Sequence, residues 1–460
     1  MNDTDPGTDI VSLLIAELGG RVSIHSDELD AARADKSGHV APGTPLAIVH
    51  ATTIEHVQAT MRLATQTRTP VVTRGAGTGL AGAANAGTGE IVLSTLGMTR
   101  ILEIAVDDEL AVVEPGIINA DLNAELAKQG LWWAPDPASR AISTVGGNIA
   151  TNAGGLLCVK YGVTRDAVLG LKVVLADGRL IELGRRTIKG VTGFDLTALM
   201  IGSEGTLGVI VEATLRLRRL DGSPVSTIGA HFASVDAAAR AAAAIVSSGV
   251  RPAILEVLDR PSMVAIAAHL ALTVREEPYL LVQLDGPAAG AEADVAISII
   301  QSLGGDAELS TDPEEAARLL TIRRSFHPAM AARGTVLIED VCVPRSALAA
   351  MFGAIEAVGA KYGLSIPTIA HAGDGNLHPN FVFEPDPTQE GGVPVTVWDA
   401  ADELFLAALR LGGTLTGEHG VGVLKRRWLA GELGDDQLEL QKQIKAVFDP
   451  QGILNRGKVF

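Results

Sequence analysis

The sequence predicts a protein of mixed helices and strands in two domains, or three pieces, from its length, its strand–helix–strand opening and a change of texture near Leu220. At 460 residues the chain exceeds what one ordinary core accommodates. Residues 46–50 form a short apolar run. Thr52 with Glu55 then offers a capping box for a helix carrying Ile54, Val57, Met61 and Ala64 on one face. Pro70 opens a strand over 71–73 that runs straight into a glycine-rich loop, and 91–94 is again a strand. A helix from an Asn119 cap to a stop at Gly130 places Leu122 and Leu126 together. Residues 171–175 and 180–183, joined through Asp177-Gly178, read as a hairpin. Beyond Leu220 the glycine blocks vanish until His371, and Ala-rich helices alternate with strands such as 280–284 and 336–343.

Composition narrows the class. A hydrophobic fraction of 47% supports packed interiors and excludes wholesale disorder. The formal net charge of −17, with no basic stripe, excludes a nucleic-acid binder. Two cysteines, Cys158 and Cys342, make no CxxC and no disulfide framework, which fits a reducing cytoplasm. The acidic start lacks the pattern of a signal peptide, and no window reaches the ~18 apolar residues of a membrane span. A soluble cytoplasmic protein is expected.

The glycine blocks carry the first chemistry. Gly77-Thr78-Gly79-Leu80-Ala81-Gly82 matches GxGxxG after a strand, the pattern of a dinucleotide-binding Rossmann loop. That reading needs a long crossover helix, and Gly87-Thr88-Gly89 followed by a strand leaves no room for one. The better account is a nest of consecutive backbone N–H groups, from Arg74 through Gly75, Ala76, Gly77, Thr78 and Gly79 to Leu80, around a pyrophosphate. A second block over 135–155 and a third over 202–210 combine glycines, hydroxyls and amides with hardly any charge. Such stretches can lie flat against a planar ring system.

The segment His371-Ala372-Gly373-Asp374-Gly375-Asn376-Leu377-His378 reads as a hairpin with a two-residue Asp-Gly turn. In that register His371 faces His378 on one side of the ladder, close enough for both imidazoles to meet one divalent ion. Two surface histidines flanking a turn fit the hairpin alone equally well. Gly417-Glu418-His419-Gly420 adds a carboxylate and an imidazole between glycines. Two histidines and a carboxylate form a metal set with room left for substrate, and zinc, manganese and iron all accept it. Neighbouring side chains on an extended backbone point to opposite sides, so Glu418 and His419 are expected to do different jobs.

Taken together, residues 74–82, 135–155, Tyr161-Gly162, Thr164-Arg165-Asp166, 189–210, 371–378, 417–420 and Leu454-Asn455 resemble the FAD-linked oxidase family. These are flavoproteins of the vanillyl-alcohol-oxidase type, a group holding bacterial glycolate oxidase, D-lactate dehydrogenase and D-2-hydroxyglutarate dehydrogenase. The resemblance spans residues 40 to 460 and rests on several long motifs in order. It implies an α+β fold: an FAD-binding domain of two α+β subdomains of the p-cresol-methylhydroxylase type over 1–220, an antiparallel-sheet cap domain over 221–415, and a segment over 416–460 that returns to the flavin. Ser139, Thr144, Gly147, Thr151, Gly154, Glu204, Gly205, Ile210 and Asn455 would join the 74–80 loop in holding FAD. Some relatives attach the flavin through a histidine in the first glycine loop; this loop has none, so FAD is expected to be non-covalent.

The resemblance further implies that His371, His378 and Glu418 bind a divalent metal, most simply zinc, and that His419 is the base. Together these would take a small D-2-hydroxy acid of the lactate or glycolate type to its keto acid, with hydride transfer to flavin N5. Arg323 would bind the substrate carboxylate and Asn380 would contact the substrate, although an Arg323-Arg324 pair at a helix end is also what a solvated pair looks like. Residues 334–343 lack the lysine that the hydroxyglutarate branch uses for a second carboxylate. A hydroxyglutarate dehydrogenase and a catalytically idle flavin-domain subunit are the alternatives, and intact 371–378 and 417–420 segments argue against the idle one. The sequence leaves open the electron acceptor and the assembly, a homodimer being one of the assemblies considered.

Overall fold

The computed structural model describes residues 6–220, 222–271 and 275–460. They group into two compact units, one of 6–154, 162–220 and 418–460, the other of 155–161, 222–271 and 275–417. This division differs from the expected one at 155–161, expected with the FAD-binding portion, and at 416–417.

The first unit holds two main sheets and a short pair, Leu131–Trp132 with Arg218–Arg219. One has four strands in the order Val22–Ser23, Ala47–His50, Ile91–Ser94 and Val71–Arg74, with the last three parallel. The helix Ile54–Thr67 connects two of them. Its cap is Thr53 rather than Thr52: the Thr53 hydroxyl accepts from the His56 amide at 3.4 Å. Val57, Met61 and Ala64 are buried against Val71, Ile91 and Leu93, with Ile453 and Leu454 from the chain's end in the same core. That end is fixed by hydrogen bonds from Val71 N to Ile453 O (2.8 Å) and from Asn455 N to Val71 O (2.9 Å). No helix lies between the parallel strands Val71–Arg74 and Ile91–Ser94, where a Rossmann fold would have its crossover.

The other sheet of this unit is antiparallel, in the order Ile101–Ala105, Leu110–Val113, Val209–Arg216, Val168–Val174 and Leu180–Gly184. The expected hairpin lies at its edge, with Val174 opposite Leu180 and Gly178 at φ +83° in the turn. Leu122 and Leu126 of the helix Asn119–Ala127 are buried beneath it; Ile118, not Asn119, precedes the first helical residue.

The second unit is built on an eight-stranded antiparallel sheet. Its main path runs Asp306–Ser310, Val225–His231, Tyr279–Asp285, Ile254–Leu258, Thr368–His371, Asn376–Phe383 and Thr335–Ile338, and Val341–Cys342 also pairs with Asn376–Phe383. On one face Ile254, Leu258, Tyr279, Leu281 and Ile369 pack against the helices Arg260–Leu270, Pro313–Arg324 and Phe326–Ala331. No helix among the described residues is long and apolar enough to cross a membrane.

Candidate active site

In the second unit, the hairpin of His371 and His378 forms with a different register from the expected one. The turn has four residues, 372–375, because the His371 carbonyl accepts from both the Asp374 and Gly375 amides at 3.0 Å. His371 therefore pairs with Asn376, and His378 pairs with Ile369. The two histidines are diagonal rather than directly opposed, yet they keep the same face, since His371 lies two residues beyond Ile369. Their rings meet edge to face with centroids 5.1 Å apart. Both are buried, at 6% and 3% exposure.

Behind each imidazole lies a buried carboxylate. Glu256 Oε1 is 2.7 Å from His371 Nδ1. An ionised carboxylate only accepts, so the bond puts the imidazole proton on Nδ1 and the lone pair on Nε2, the tautomer that can ligate a metal. Glu256 Oε2 accepts from Arg323 Nε at 2.6 Å. Burial acts to raise the Glu256 pKa, but the charges of His371 and Arg323 outweigh it and hold the carboxyl below its ordinary value. Asp340 Oδ1 lies 3.8 Å from His378 Nδ1 and accepts from Asn376 Nδ2 at 2.5 Å. Its other oxygen takes the Thr416 hydroxyl (2.5 Å) and the Gly417 amide (2.9 Å). Asn380 is buried, donates to the His378 carbonyl at 2.8 Å, and keeps its Oδ1 buried with no protein partner.

In the first unit, Glu204 anchors the residues just after His419: its carboxylate accepts from the Val421 (2.7 Å) and Gly422 (2.8 Å) amides. Burial pushes the Glu204 pKa up to about 7 against the pull of those two amides and Lys425. Gly154 is where the Glu418 side chain rests; a Cβ there would overlap Glu418 Oε2 and lie 3.1 Å from its Cβ.

The glycine loop of that unit has the makings of a phosphate nest. Among the described residues, the amides of 75–80 donate to no protein acceptor. A Cβ at Gly75 would overlap the Thr144 hydroxyl; one at Gly77, where φ is +66°, would lie 2.6 Å from Arg74 Cζ. The overlaps show why these positions must be glycine for the loop to pack on Thr144 and Arg74, while the run of amides with no protein acceptor is the feature of an anion nest and fits an FAD pyrophosphate.

Several expected contact residues hold this site through protein bonds. The Arg74 guanidinium donates to the Ala84 and Ala34 carbonyls at 2.8 and 2.7 Å, so its side chain folds the loop rather than reaching a phosphate. Asn455 ties Thr73 N (3.2 Å), Ala83 O (3.2 Å) and Glu204 O (2.5 Å) together, and Gly205, at φ +73°, leaves room for its amide. The Glu204 and Asn455 side chains are thus struts. Thr144 accepts from Gly147 N at 3.1 Å as the cap of the helix Val145–Thr151, and Thr151 donates to Gly147 O at 3.1 Å. Ile210 is buried beside a bulge in its strand, and Ser139 accepts the Ile142 and Ser143 amides on its carbonyl.

Sequence reasoning missed Glu256 altogether. Its signal was a lone glutamate in the apolar run Ile254–Leu258, where a charge is tolerated only if paired.

A glycine-loop flavin fold together with a sheet that buries histidines and carboxylates defines a flavin-dependent oxidoreductase. Residues 45–184 match the FAD binding domain family, and residues 223–459 match the C-terminal domain of FAD linked oxidases. The chain belongs to the FAD-linked oxidase family. It is 40% identical over 422 residues to the glycolate oxidase subunit GlcD of Bacillus subtilis, covering 90% of this chain and 89% of that protein. It is 35% identical over 419 residues to a D-lactate dehydrogenase of Archaeoglobus fulgidus, covering 90% of each. Among solved structures, p-cresol methylhydroxylase has the same fold, with a TM-score of 0.80 at 19% identity over 99% of this chain and 97% of that one. Alkyldihydroxyacetonephosphate synthase gives 0.73 at 20% identity, over 97% and 84%.

Proposed function

We propose that this chain oxidises a small D-2-hydroxy acid, of the glycolate or D-lactate type, to the 2-keto acid. It would use non-covalent FAD and one divalent metal ion held by His371, His378 and Glu418. The observation that carries the reading is the pair of buried imidazoles on one sheet face, the first oriented by Glu256 through Nδ1. Two imidazoles and a carboxylate are donors that zinc, manganese and iron accept. Glu418 directly follows Gly417, whose amide Asp340 holds, and a trans peptide sets their Cα atoms ~3.8 Å apart.

When bound, the flavin takes up a hydride and the ion acts as a Lewis acid toward the substrate oxygens. His419 accepts the hydroxyl proton on a ring nitrogen, which requires the neutral imidazole. Arg323 receives the substrate carboxylate on its Nη edge, since only Nε is engaged by Glu256. Asn380 adds the buried acceptor Oδ1. A monocarboxylate is favoured, because 334–343 offers no lysine and Glu339 and Asp340 are buried there. The reducing cytoplasm suits a chain with two cysteines and no CxxC.

The test is anaerobic mixing of the flavin-loaded protein with a panel of D- and L-2-hydroxy acids. Glycolate and D-lactate should bleach the main flavin band. Bleaching by L-acids alone, or by none, would overturn the reading.

A further inference from the structure

We infer that Glu256 is a positioning residue that aligns the metal ligand His371 and the carboxylate clamp Arg323 through its two oxygens at once. The inference rests on the function proposed above. Glu256 is fully buried on the strand Ile254–Leu258, directly opposite His371 on the neighbouring strand. Arg323 reaches it from the last turn of the helix Pro313–Arg324, which packs on the same sheet face. The two oxygens divide the work, with Oε1 lying 2.7 Å from His371 Nδ1 and Oε2 lying 2.6 Å from Arg323 Nε.

Three consequences follow from that geometry. The imidazole is locked as the tautomer whose Nε2 is a donor to metal, and its ring plane is fixed. The guanidinium is gripped on its Nε side, while both Nη groups have no partner among the described residues and can meet a carboxylate in parallel. The charges of Glu256 and Arg323 offset each other, so a cation can be kept in the apolar surroundings of Leu319, Ile322 and Phe326 before any substrate arrives. One carboxylate therefore links metal affinity to substrate affinity, although it touches neither ligand itself.

The test uses full-length, flavin-loaded protein and two variants. Glu256→Gln has one acceptor oxygen and can serve only one of the two donors. Glu256→Asp keeps the charge and withdraws the oxygens by roughly one C–C bond, about 1.5 Å. Zinc affinity is measured by competition with a chromophoric chelator, and KM and kcat for glycolate or D-lactate at saturating metal. Each variant should keep its flavin content, and Glu256→Asp, which retains the charge, its melting temperature, whereas Glu256→Gln should melt lower because it strands the buried Arg323 cation. Each should bind zinc about 10–100-fold more weakly and show KM raised roughly ten-fold through loss of a charge-assisted bond. The fall in kcat should be smaller. If Glu256→Gln does not fold, Glu256→Asp decides alone. Wild-type zinc affinity and KM in the variants would overturn the role of Glu256 while leaving the proposed function standing. A wild-type protein that binds no divalent metal would instead overturn the proposed function and the inference with it.

Discussion

Gly77→Ala should empty the flavin site while leaving the fold intact. Gly77 has φ +66°, a region that costs an alanine about 1–2 kcal/mol. Its new Cβ would also overlap Arg74 Nη2 and lie 2.6 Å from Cζ, so the guanidinium must move. That endangers its bonds to the Ala84 and Ala34 carbonyls, and a hydrogen bond to a charged group contributes ~1.5–3 kcal/mol. Losing one of them brings the total to about 3–5 kcal/mol. If the loop escapes by leaving its nest geometry, FAD affinity falls by the same amount, roughly 10²–10⁴-fold. Gly89→Ala is the internal control: φ is +78°, yet nothing lies within 4 Å of a Cβ there, so only the backbone cost remains. The assay is flavin-to-protein absorbance after purification, followed by FAD titration of the deflavinated proteins. Wild-type FAD affinity in Gly77→Ala, or an equal loss in Gly89→Ala, would refute the nest.

Two other predictions test the neighbouring parts. Glu204 has its pKa raised from 4.5 to about 7, so its neutral form is favoured on folding. Its stabilising contribution is complete below 4.5 and is lost as pH rises toward 7, by up to about 3 kcal/mol for a shift of about 2.5 at 1.36 kcal/mol per unit. Denaturation midpoints of Glu204→Gln should be flatter than those of wild type between pH 4.5 and 7.5, and parallel curves would contradict the argument. His419→Asn should retain metal and substrate binding but reduce its flavin ~10²–10⁴-fold more slowly in rapid mixing. A wild-type rate would show that the base lies elsewhere, and loss of the metal that His419 is a ligand instead.

The course of the glycine loop was legible because its signal is local. Glycine at 75, 77 and 79 after a strand, with no room for a helix before 91, already excluded a Rossmann crossover. The hairpin register was not legible. Asp374-Gly375 reads as a two-residue turn, but a Cβ at Gly375 would overlap the Val343 carbonyl and one at Gly373 would lie 2.6 Å from Val159 Cβ. Gly375 serves the turn through its φ of +82°, but both glycines also answer to close packing by distant segments, which no local pattern reports. The shared face survived the change of register because a two-residue offset preserves strand parity. Thr53 replaced Thr52 as cap, a shift of one residue between two threonines that are equally good acceptors. Arg74, Glu204 and Asn455, expected to hold the cofactor, have side chains that bond to backbone groups 10, 217 and 382 positions away along the chain. Only a fold reveals partners of that kind.

The central claim is that hydroxy-acid oxidation here needs both flavin and a metal at His371, His378 and Glu418. The direct measurement is anaerobic flavin reduction by glycolate and D-lactate, on protein stripped of metal with its FAD retained, before and after zinc or manganese is restored. The account predicts no appreciable bleaching in the stripped protein, recovery on adding metal, and no recovery in His378→Ala despite a normal flavin spectrum. Full-rate bleaching of protein shown by elemental analysis to be metal-free would contradict it.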